Sequence, residues 1–196
     1  MSDPAQDDQD RQDMARLAAG RDTALNDLME RHGMKLFHYL LRHLRNESDA
    51  EDCAQESFLR VYVNRGKFRA GSKFTTWLYT IATNLARDCH RRHARHPEVA
   101  LVENEDGGSG WDAVPDKAAG PGEQLRSSEQ AAQVRAAVQA LPEDLRTPLL
   151  LFEYENLGQA EIGEILHCTP KAVEVRIYRA RKILRTALAG LLDQLG

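Results

Sequence analysis

The chain has 196 residues, of which 29% are charged, and its formal net charge is −4. No apolar run approaches the roughly 20 residues that a membrane-spanning helix needs, and the acidic, polar start does not resemble a secretory signal. We therefore expect a cytoplasmic protein with no membrane insertion. Its three widely separated cysteines predict no disulfide framework.

The charge is strongly segregated along the chain. Residues 23–96 carry 13 basic and eight acidic side chains, whereas residues 97–126 carry two basic and seven acidic ones. Within these blocks, Glu47–Glu56 has five acids and no base, Lys67–Arg95 has seven bases and one acid, and Lys171–Arg185 has six bases and one acid. Because local patches select local partners, the two basic segments indicate nucleic-acid binding despite the negative total.

The stretch 104–122 contains five of the 13 glycines and shows no apolar periodicity, which predicts a flexible acidic linker. The predicted organisation is an acidic N-terminal extension at 1–22, an N-terminal domain at 23–98, a linker at 99–126 and a C-terminal domain at 127–196. Apolar residues in both domains recur at helical spacing, so we predict an all-α fold of two small helical domains.

In the N-terminal domain, the apolar spacing predicts one short helix near Leu25 and a second helix near Leu36. Ser48 with Glu51 forms a capping-box pattern, which predicts that a third helix begins at Asp49. This helix has an acidic face that would repel DNA. The face suits a basic protein partner or is simply solvated, and it comprises Asp49, Glu51, Asp52, Gln55 and Glu56.

A fourth helix is predicted from about Phe74 to Arg95, with an apolar stripe on one side and Trp77 as a core residue. Hydroxyls, an amide and arginines on the opposite face suit phosphate and base contacts, although a solvated helix end would also explain the arginines. The residues of this predicted exposed face are Thr76, Tyr79, Thr80, Thr83, Asn84, Arg87, His90 and Arg91.

The C-terminal domain contains a predicted helix-turn-helix. A helix at 128–140 precedes one that starts with Pro142 in its first position, and two further helices follow at 159–166 and 170–190. Thr169 suits an N-cap and Pro170 a first helical position. A short helix, a tight turn and a basic amphipathic helix can place the last helix in the major groove, although a basic helix in an ordinary bundle would look similar. The side chains predicted to point away from the core or to flank that face are Lys171, Glu174, Val175, Arg176, Tyr178, Arg179, Arg181 and Lys182.

Enzyme chemistry and metal binding find little support in the sequence. There is no phosphate-binding loop motif, and no nucleophile is paired with a base. Cys89, His93 and His96 could share one helix face, but the interleaved arginines would repel a cation. We therefore predict no catalytic residue, no metal site and no cofactor.

Three blocks resemble bacterial sigma factors in order and spacing: SDAEDCAQESFLRVY at 48–62, FRAGSKFTTWLYTIATNLARD at 68–88, and the segment at 140–185. With two domains joined by a short linker, the chain is similar to the extracytoplasmic-function (ECF) group of the sigma-70 family. The resemblance implies a protein that binds core RNA polymerase through the clamp of its largest subunit, directs it to specific promoters and helps melt the DNA. An inhibitory anti-sigma protein is the regulator that the resemblance implies.

The resemblance also implies roles for residues identified above. The acidic face, including Asp49, Asp52, Gln55 and Glu56, would dock on polymerase. The C-terminal set, including Lys171, Glu174, Arg176 and Arg179, would contact the minus-thirty-five element. The minus-ten side would be contacted by Lys67, Arg69, Lys73, Thr76, Thr80, Thr83, Asn84, Arg87 and Arg91, with Asn84 beside a flipped base.

Two departures from the family pattern concern promoter choice. Many members carry a basic or small polar residue in place of Glu174, and glycine-threonine in place of Lys171-Ala172, so promoter sequences are not transferable. Two other protein classes stay open. A stand-alone helix-turn-helix regulator would bind a duplex tightly by itself, and a decoy for an anti-sigma protein would bind that partner without starting transcription.

Overall fold

The computed structural model describes residues 4–69, 71–95 and 121–192, with side chains for all of these except 121–128 and 192. The described residues form α-helices and one short 3-10 helix at Arg65–Lys67, without a strand. The helices are α1 (Pro4–Ala18), α2 (Thr23–Leu44), α3 (Glu47–Val63), α4 (Phe74–Arg95), α5 (Pro121–Gln139), α6 (Glu143–Glu153), α7 (Gln159–Leu166), α8 (Pro170–Ala187) and α9 (Ala189–Leu192). The all-α prediction is confirmed.

Helices α1 to α4 form the N-terminal bundle. The prediction of two helices near Leu25 and Leu36 is wrong, because α2 runs unbroken from Thr23 to Leu44. Its interior Gly33 lowers helix propensity by only about 1 kcal/mol. Burial of an apolar stripe that includes Leu28 and Leu40 outweighs that cost.

Helix α3 begins two residues earlier than its capping pattern predicts. Asn46, not Ser48, is the N-cap, since its side-chain oxygen accepts a hydrogen bond from the backbone N–H of Asp49 at 2.8 Å. Asn46 has the extended backbone that an N-cap requires, and both residue types suit the position. The earlier start places Glu47 and Asp49 in the first turn, where acidic side chains interact favourably with the helix dipole.

The segment that the sequence assigns to an acidic extension contains helix α1, which packs against α2. Met14 and Leu17 of α1 are buried, and so is the carboxylate of Asp10. Asp10 is held by His32 at 2.8 Å and by the guanidinium of Arg31 at 3.0 Å. These partners on α2 compensate the burial of a charge, so an acidic helix can belong to the core.

Helix α4 matches its predicted bounds, but its predicted exposed face is partly wrong. Thr76, Tyr79 and Thr83 are buried. The Thr83 and Tyr39 hydroxyls lie 2.8 Å apart, and the Tyr79 hydroxyl donates to Glu155 of the C-terminal domain. The physical reason is that α4 contacts α2 and α3 on one side and α7 on another, so more than one stripe of it is covered.

In the C-terminal domain, α7 matches its predicted bounds and α8 starts where expected, at Pro170. The Thr169 hydroxyl accepts from the Ala172 N–H at 3.2 Å, which confirms the predicted N-cap. Pro142 is the N-cap of α6 and not its first helical residue, because its ψ of 143° is extended. Helix α5 starts at Pro121, within the predicted linker, and residues 99–120 of that linker lie outside the described residues.

The two domains pack against each other through α4 with α7 and α2 with α6. Buried His43 on α2 lies 3.0 Å from the Thr147 hydroxyl on α6, and the Gln139 amide donates to the Arg42 carbonyl at 2.5 Å. Apolar side chains of both domains belong to one continuous buried cluster. Polar groups of each domain thus form hydrogen bonds with polar groups of the other across the buried interface.

None of the described helices combines the length and apolar character required to cross a membrane.

Candidate nucleic-acid and partner interfaces

The helix-turn-helix is held together by close backbone packing at its turn. His167 ends α7 with a left-handed backbone, φ 53°, and its N–H bonds to the last turn of that helix. Gly163 is buried one turn earlier, and a Cβ at this position would lie only 2.7 Å from the Cys168 carbonyl oxygen. Only glycine lets the turn approach α7 this closely. The turn therefore fixes the angle at which α8 is presented.

The predicted stripe of α8 faces the core, since Val173, Ile177 and Ala180 are buried. The opposite side is open and carries both signs of charge. Lys171 and Glu174 form an exposed ion pair at 2.8 Å, and Arg176 lies half-buried with its guanidinium 3.7 Å from the Cys168 sulfur. The exposed members of the predicted face are Lys171, Glu174, Val175, Tyr178, Arg179, Arg181 and Lys182. This surface has the donors, acceptors and apolar groups that major-groove recognition uses.

Three predicted minus-ten residues line one cleft on α4. Asn84 and Arg91 are exposed there and Arg87 is half-buried, with Asp88 beside them. Glu143 from α6 forms the opposite wall and accepts a hydrogen bond from Arg87 Nε at 3.1 Å. The cleft offers an amide and two guanidiniums to a nucleotide, but an acidic side chain of the other domain occupies one of them.

The basic residues before α4 are divided between two environments. Lys67 and Arg69 are exposed, with the Lys67 ammonium donating to Asn64 at 2.8 Å. Lys73 instead bridges Glu161 of α7 at 2.9 Å and Asp7 of α1 at 3.2 Å. The hydrogen bond to Glu161 is the main reason that the pKa of Lys73 is raised. Lys73 is therefore held as a cation between two acids.

The three threonines of the predicted minus-ten set are not brought to one open surface. Thr83 is fully buried and Thr76 is nearly so. The half-buried Thr80 donates its hydroxyl to the Thr76 carbonyl at 2.7 Å. Their hydroxyls serve the helix and the core in this arrangement. The predicted minus-ten residues of α4 that line an open cleft are therefore Asn84, Arg87 and Arg91.

The acidic face of α3 is exposed at Glu51, Asp52 and Gln55 and half-exposed at Glu56, which pairs with Arg60 at 2.8 Å. Asp49 departs from this face because it turns toward α4, where a carboxylate oxygen lies 3.5 Å from His93 Nε2. Its side chain is only 15% exposed. The acidic docking surface, defined here as Glu51, Asp52, Gln55 and Glu56, is thus smaller than the sequence predicted.

Two residues missed by sequence reasoning extend the acidic docking surface. Leu59 is 55% exposed and Val63 is 66% exposed. Asp52, Gln55, Leu59 and Val63 are separated by three, four and four residues, so all four lie on the same side of α3. The sequence signal that could have identified Leu59 and Val63 is their position on the acidic side of α3, away from the apolar residues that face the core. Exposed aliphatic groups beside acids are typical of a protein-binding surface.

Comparisons with known proteins identify the family of both domains. Residues 28–96 match the model of Sigma-70 region 2, and residues 131–184 match that of Sigma-70, region 4. The RNA polymerase sigma-H factor of Pseudomonas aeruginosa is 35% identical over 189 residues, which cover 95% of this chain and 97% of the relative.

Two further proteins share the organisation. The ECF RNA polymerase sigma factor SigW of Bacillus subtilis is 34% identical, with 88% of this chain and 92% of the relative covered. A solved structure of the sigma factor RpoE with the anti-sigma factor NepR from Bartonella quintana has the same fold, with a TM-score of 0.63 and 19% identity over 84% of this chain and 96% of that one. The chain belongs to the ECF group of the sigma-70 family of RNA polymerase sigma factors.

Proposed function

We propose that this sigma factor binds core RNA polymerase, directs it to specific promoters and stabilises the melted DNA, acting in the bacterial cytoplasm by binding alone. One observation carries the proposal. A single chain presents an acidic and apolar docking surface on α3 and basic surfaces on α4 and α8. A protein that bound only DNA would have no use for the first of these, because acidic side chains repel phosphates.

The acidic docking surface serves polymerase binding, with Glu51, Asp52 and Gln55 exposed for contact with a basic helix of the clamp. Leu59 and Val63 supply the apolar area that gives such an interface its affinity, while the carboxylates supply specificity and association rate. Asp49 contributes through its position at the edge of this surface and makes fewer direct contacts than its neighbours.

Helix α8 serves recognition of the minus-thirty-five duplex. Its exposed cations can bond to guanine edges or phosphates, and Glu174 can accept from a cytosine amino group. Val175 can contact a thymine methyl group. Because Lys171 already pairs with Glu174, the two residues act on the DNA as one unit rather than as independent charges.

Helix α4 and the loop before it serve the opened minus-ten strand. Lys67 and Arg69 are exposed for backbone phosphates, and the cleft at Asn84 suits a base that has left the stack. Unstacking costs a few kcal/mol per base step, which base capture and phosphate contacts offset. Lys73 and Arg87 contribute once their partners in the C-terminal domain and α1 release them.

An anti-sigma protein is the regulator we propose for this chain. The support is its membership of the ECF group and the shared fold with a sigma factor solved together with its anti-sigma factor. The exposed apolar residues of α3 offer such an inhibitor the same surface that polymerase needs.

The test is run-off transcription with purified core polymerase on a genomic promoter library, with start sites mapped. The variant Asp52→Arg reverses one charge of the acidic docking surface, and Glu129→Arg makes the same change at an exposed site on α5. We expect Asp52→Arg to weaken binding to core polymerase by about 1 kcal/mol or more, and Glu129→Arg to bind normally.

Two results would contradict the proposal. One is an absence of initiation at any promoter with core polymerase present. The other is tight, sequence-specific duplex binding by the isolated chain that polymerase does not alter, which would identify a stand-alone regulator.

A further inference from the structure

Helices α3 and α4 bring together three side chains of types that can bind a metal ion, and the proposed function gives no role to two of them, Cys89 and His93. Asp49 of α3 meets Cys89 and His93 of α4, and their ligand atoms all lie within 4.8 Å of one another. Cys89 and His93 are one helical turn apart, so both face α3. The sequence grouped Cys89 and His93 with His96, which lies outside the described residues. It did not indicate Asp49, because the packing of α3 on α4 supplies that group.

The surroundings of the cluster suit a bound ion. Cys89 is only 2% exposed, and both Asp49 and His93 are partly shielded. Cys53 lies one turn after Asp49 on α3, is also buried, and interacts electrostatically with both Cys89 and Asp49. Each of the two packed helices therefore contributes residues four apart, an arrangement from which metal sites in helical bundles are built.

A cation already occupies the edge of the cluster. The Arg92 guanidinium lies 3.6 Å from the Cys89 sulfur and 4.0 Å from an Asp49 oxygen. The sequence suggested that such arginines repel metal ions, but this side chain is 66% exposed. It can leave the cluster toward solvent without disturbing the core. The Arg92 guanidinium thus supplies the positive charge that a bound ion would otherwise provide.

The chemistry of the donors selects the class of ion. A thiol, an imidazole and a carboxylate are the ligands of Zn²⁺, whereas Mg²⁺ and Ca²⁺ prefer oxygen donors alone. We propose that Asp49, Cys89 and His93 form a site for one thiophilic divalent cation of the Zn²⁺ class, with the fourth position open to water. Binding releases the Cys89 proton to solvent and leaves the metal oxidation state unchanged.

The site has a consequence for α3. A bound ion ties Asp49 to α4 and so holds this carboxylate turned away from the acidic docking surface. This second step rests on the proposed function, but metal binding itself does not, and the experiment therefore uses the isolated sigma factor without polymerase.

The test titrates Zn²⁺ into the full-length, tag-free and reduced chain in competition with a chromophoric chelator. We expect one Zn²⁺ per chain and a rise in thermal unfolding temperature. Substitution with Co²⁺ should give the absorption bands of a tetrahedral ion with a thiolate ligand. His93→Gln changes a partly exposed residue and Cys89→Ser changes a ligand in the core. Each should lower Zn²⁺ affinity by at least about tenfold, since loss of groups that merely support ligands already costs that much.

Cys168→Ser is the matched control, because it removes a thiol in the turn between α7 and α8 and leaves the cluster intact. It should bind Zn²⁺ as the unmodified chain does. The proposal is overturned if the chelator retains all the Zn²⁺. It is equally overturned if His93→Gln, folded by circular dichroism, binds as tightly as the Cys168→Ser control.

Discussion

At the scale of single residues, His43 shows how the domain interface uses a titratable group. Its imidazole is buried, with Nε2 3.0 Å from the Thr147 hydroxyl and Nδ1 3.3 Å from His90 Nε2. Burial, together with the nearby positive charges of Arg146, His90 and Arg87, lowers the pKa of His43 to about 3. The folded protein therefore requires the neutral imidazole.

This requirement predicts loss of stability in mild acid. Because the folded pKa lies below the unfolded value of about 6.5, the stabilisation is present above pH 6.5 and falls as the pH drops toward 3. At pH 5 the loss from His43 is about 2 kcal/mol. Urea unfolding at pH 7.5 and pH 5 measures it. His43→Gln should reduce the pH dependence by this amount, whereas exposed His167→Gln should not. An unchanged dependence in His43→Gln would contradict the assignment.

Glu174 is expected to determine promoter preference rather than overall affinity. It is exposed and paired with Lys171, and exposed ion pairs contribute little to folding stability, so Glu174→Ala should fold normally. Removing its carboxylate deletes an acceptor for a cytosine amino group and frees Lys171 for other contacts. Preference at one minus-thirty-five position should change by about 1–3 kcal/mol.

Binding of the polymerase complex to a library randomised at the minus-thirty-five element measures this change. Lys182→Ala is the comparison, since this exposed cation suits phosphates and its loss should weaken all promoters alike. Equal losses on every promoter with Glu174→Ala would remove the basis for assigning it a role in base recognition.

At the scale of helices, apolar spacing and capping residues predicted those helix bounds that depend on residues close in the chain. The spacing of apolar residues gave the bounds of α4 and α7, and capping chemistry gave the start of α8. The same signals misplaced the start of α3, because Asn46 and Ser48 are both good caps and only the backbone decides between them. The burial of Thr83 was not predictable from α4, since it depends on Tyr39 from a distant part of the chain.

Helix α1 is expected to contribute to the stability of the N-terminal bundle, although its composition suggested an extension outside it. Leu17 is fully buried, and Leu17→Ala should lower the free energy of unfolding by about 2–5 kcal/mol. Gln12→Ala, at an exposed position of the same helix, should change the free energy of unfolding by no more than about 0.5 kcal/mol. Urea unfolding followed by circular dichroism compares them. If the two variants were equally stable, α1 would have to be dispensable for the fold.

At the scale of the whole molecule, the closed arrangement of domains places acids against the predicted DNA contacts. Glu161 pairs with Lys73, and Glu143 pairs with Arg87 at the cleft beside Asn84. Neither pairing was predictable from sequence, because each joins residues on opposite sides of the linker and depends on how the domains meet. The predicted DNA-binding face of α8 is exposed in the same arrangement. We therefore expect this packing of the two domains to compete with binding of the minus-ten strand more than with duplex binding.

The double variant Glu143→Gln/Glu161→Gln should therefore increase the affinity of the isolated chain for a single-stranded minus-ten oligonucleotide. Each partly exposed ion pair contributes up to about 1 kcal/mol, so the gain should be about twofold to fivefold per pair. Fluorescence anisotropy with a labelled oligonucleotide measures this gain.

Removing two acids also raises non-specific attraction to DNA, so the control must carry the same charge change. Glu129→Gln/Glu164→Gln does so at two exposed sites of the C-terminal domain, neither of which is paired to a predicted minus-ten residue. Equal gains in both double variants would mean that net charge, and not the weaker pairing of Lys73 and Arg87, controls the affinity for opened DNA.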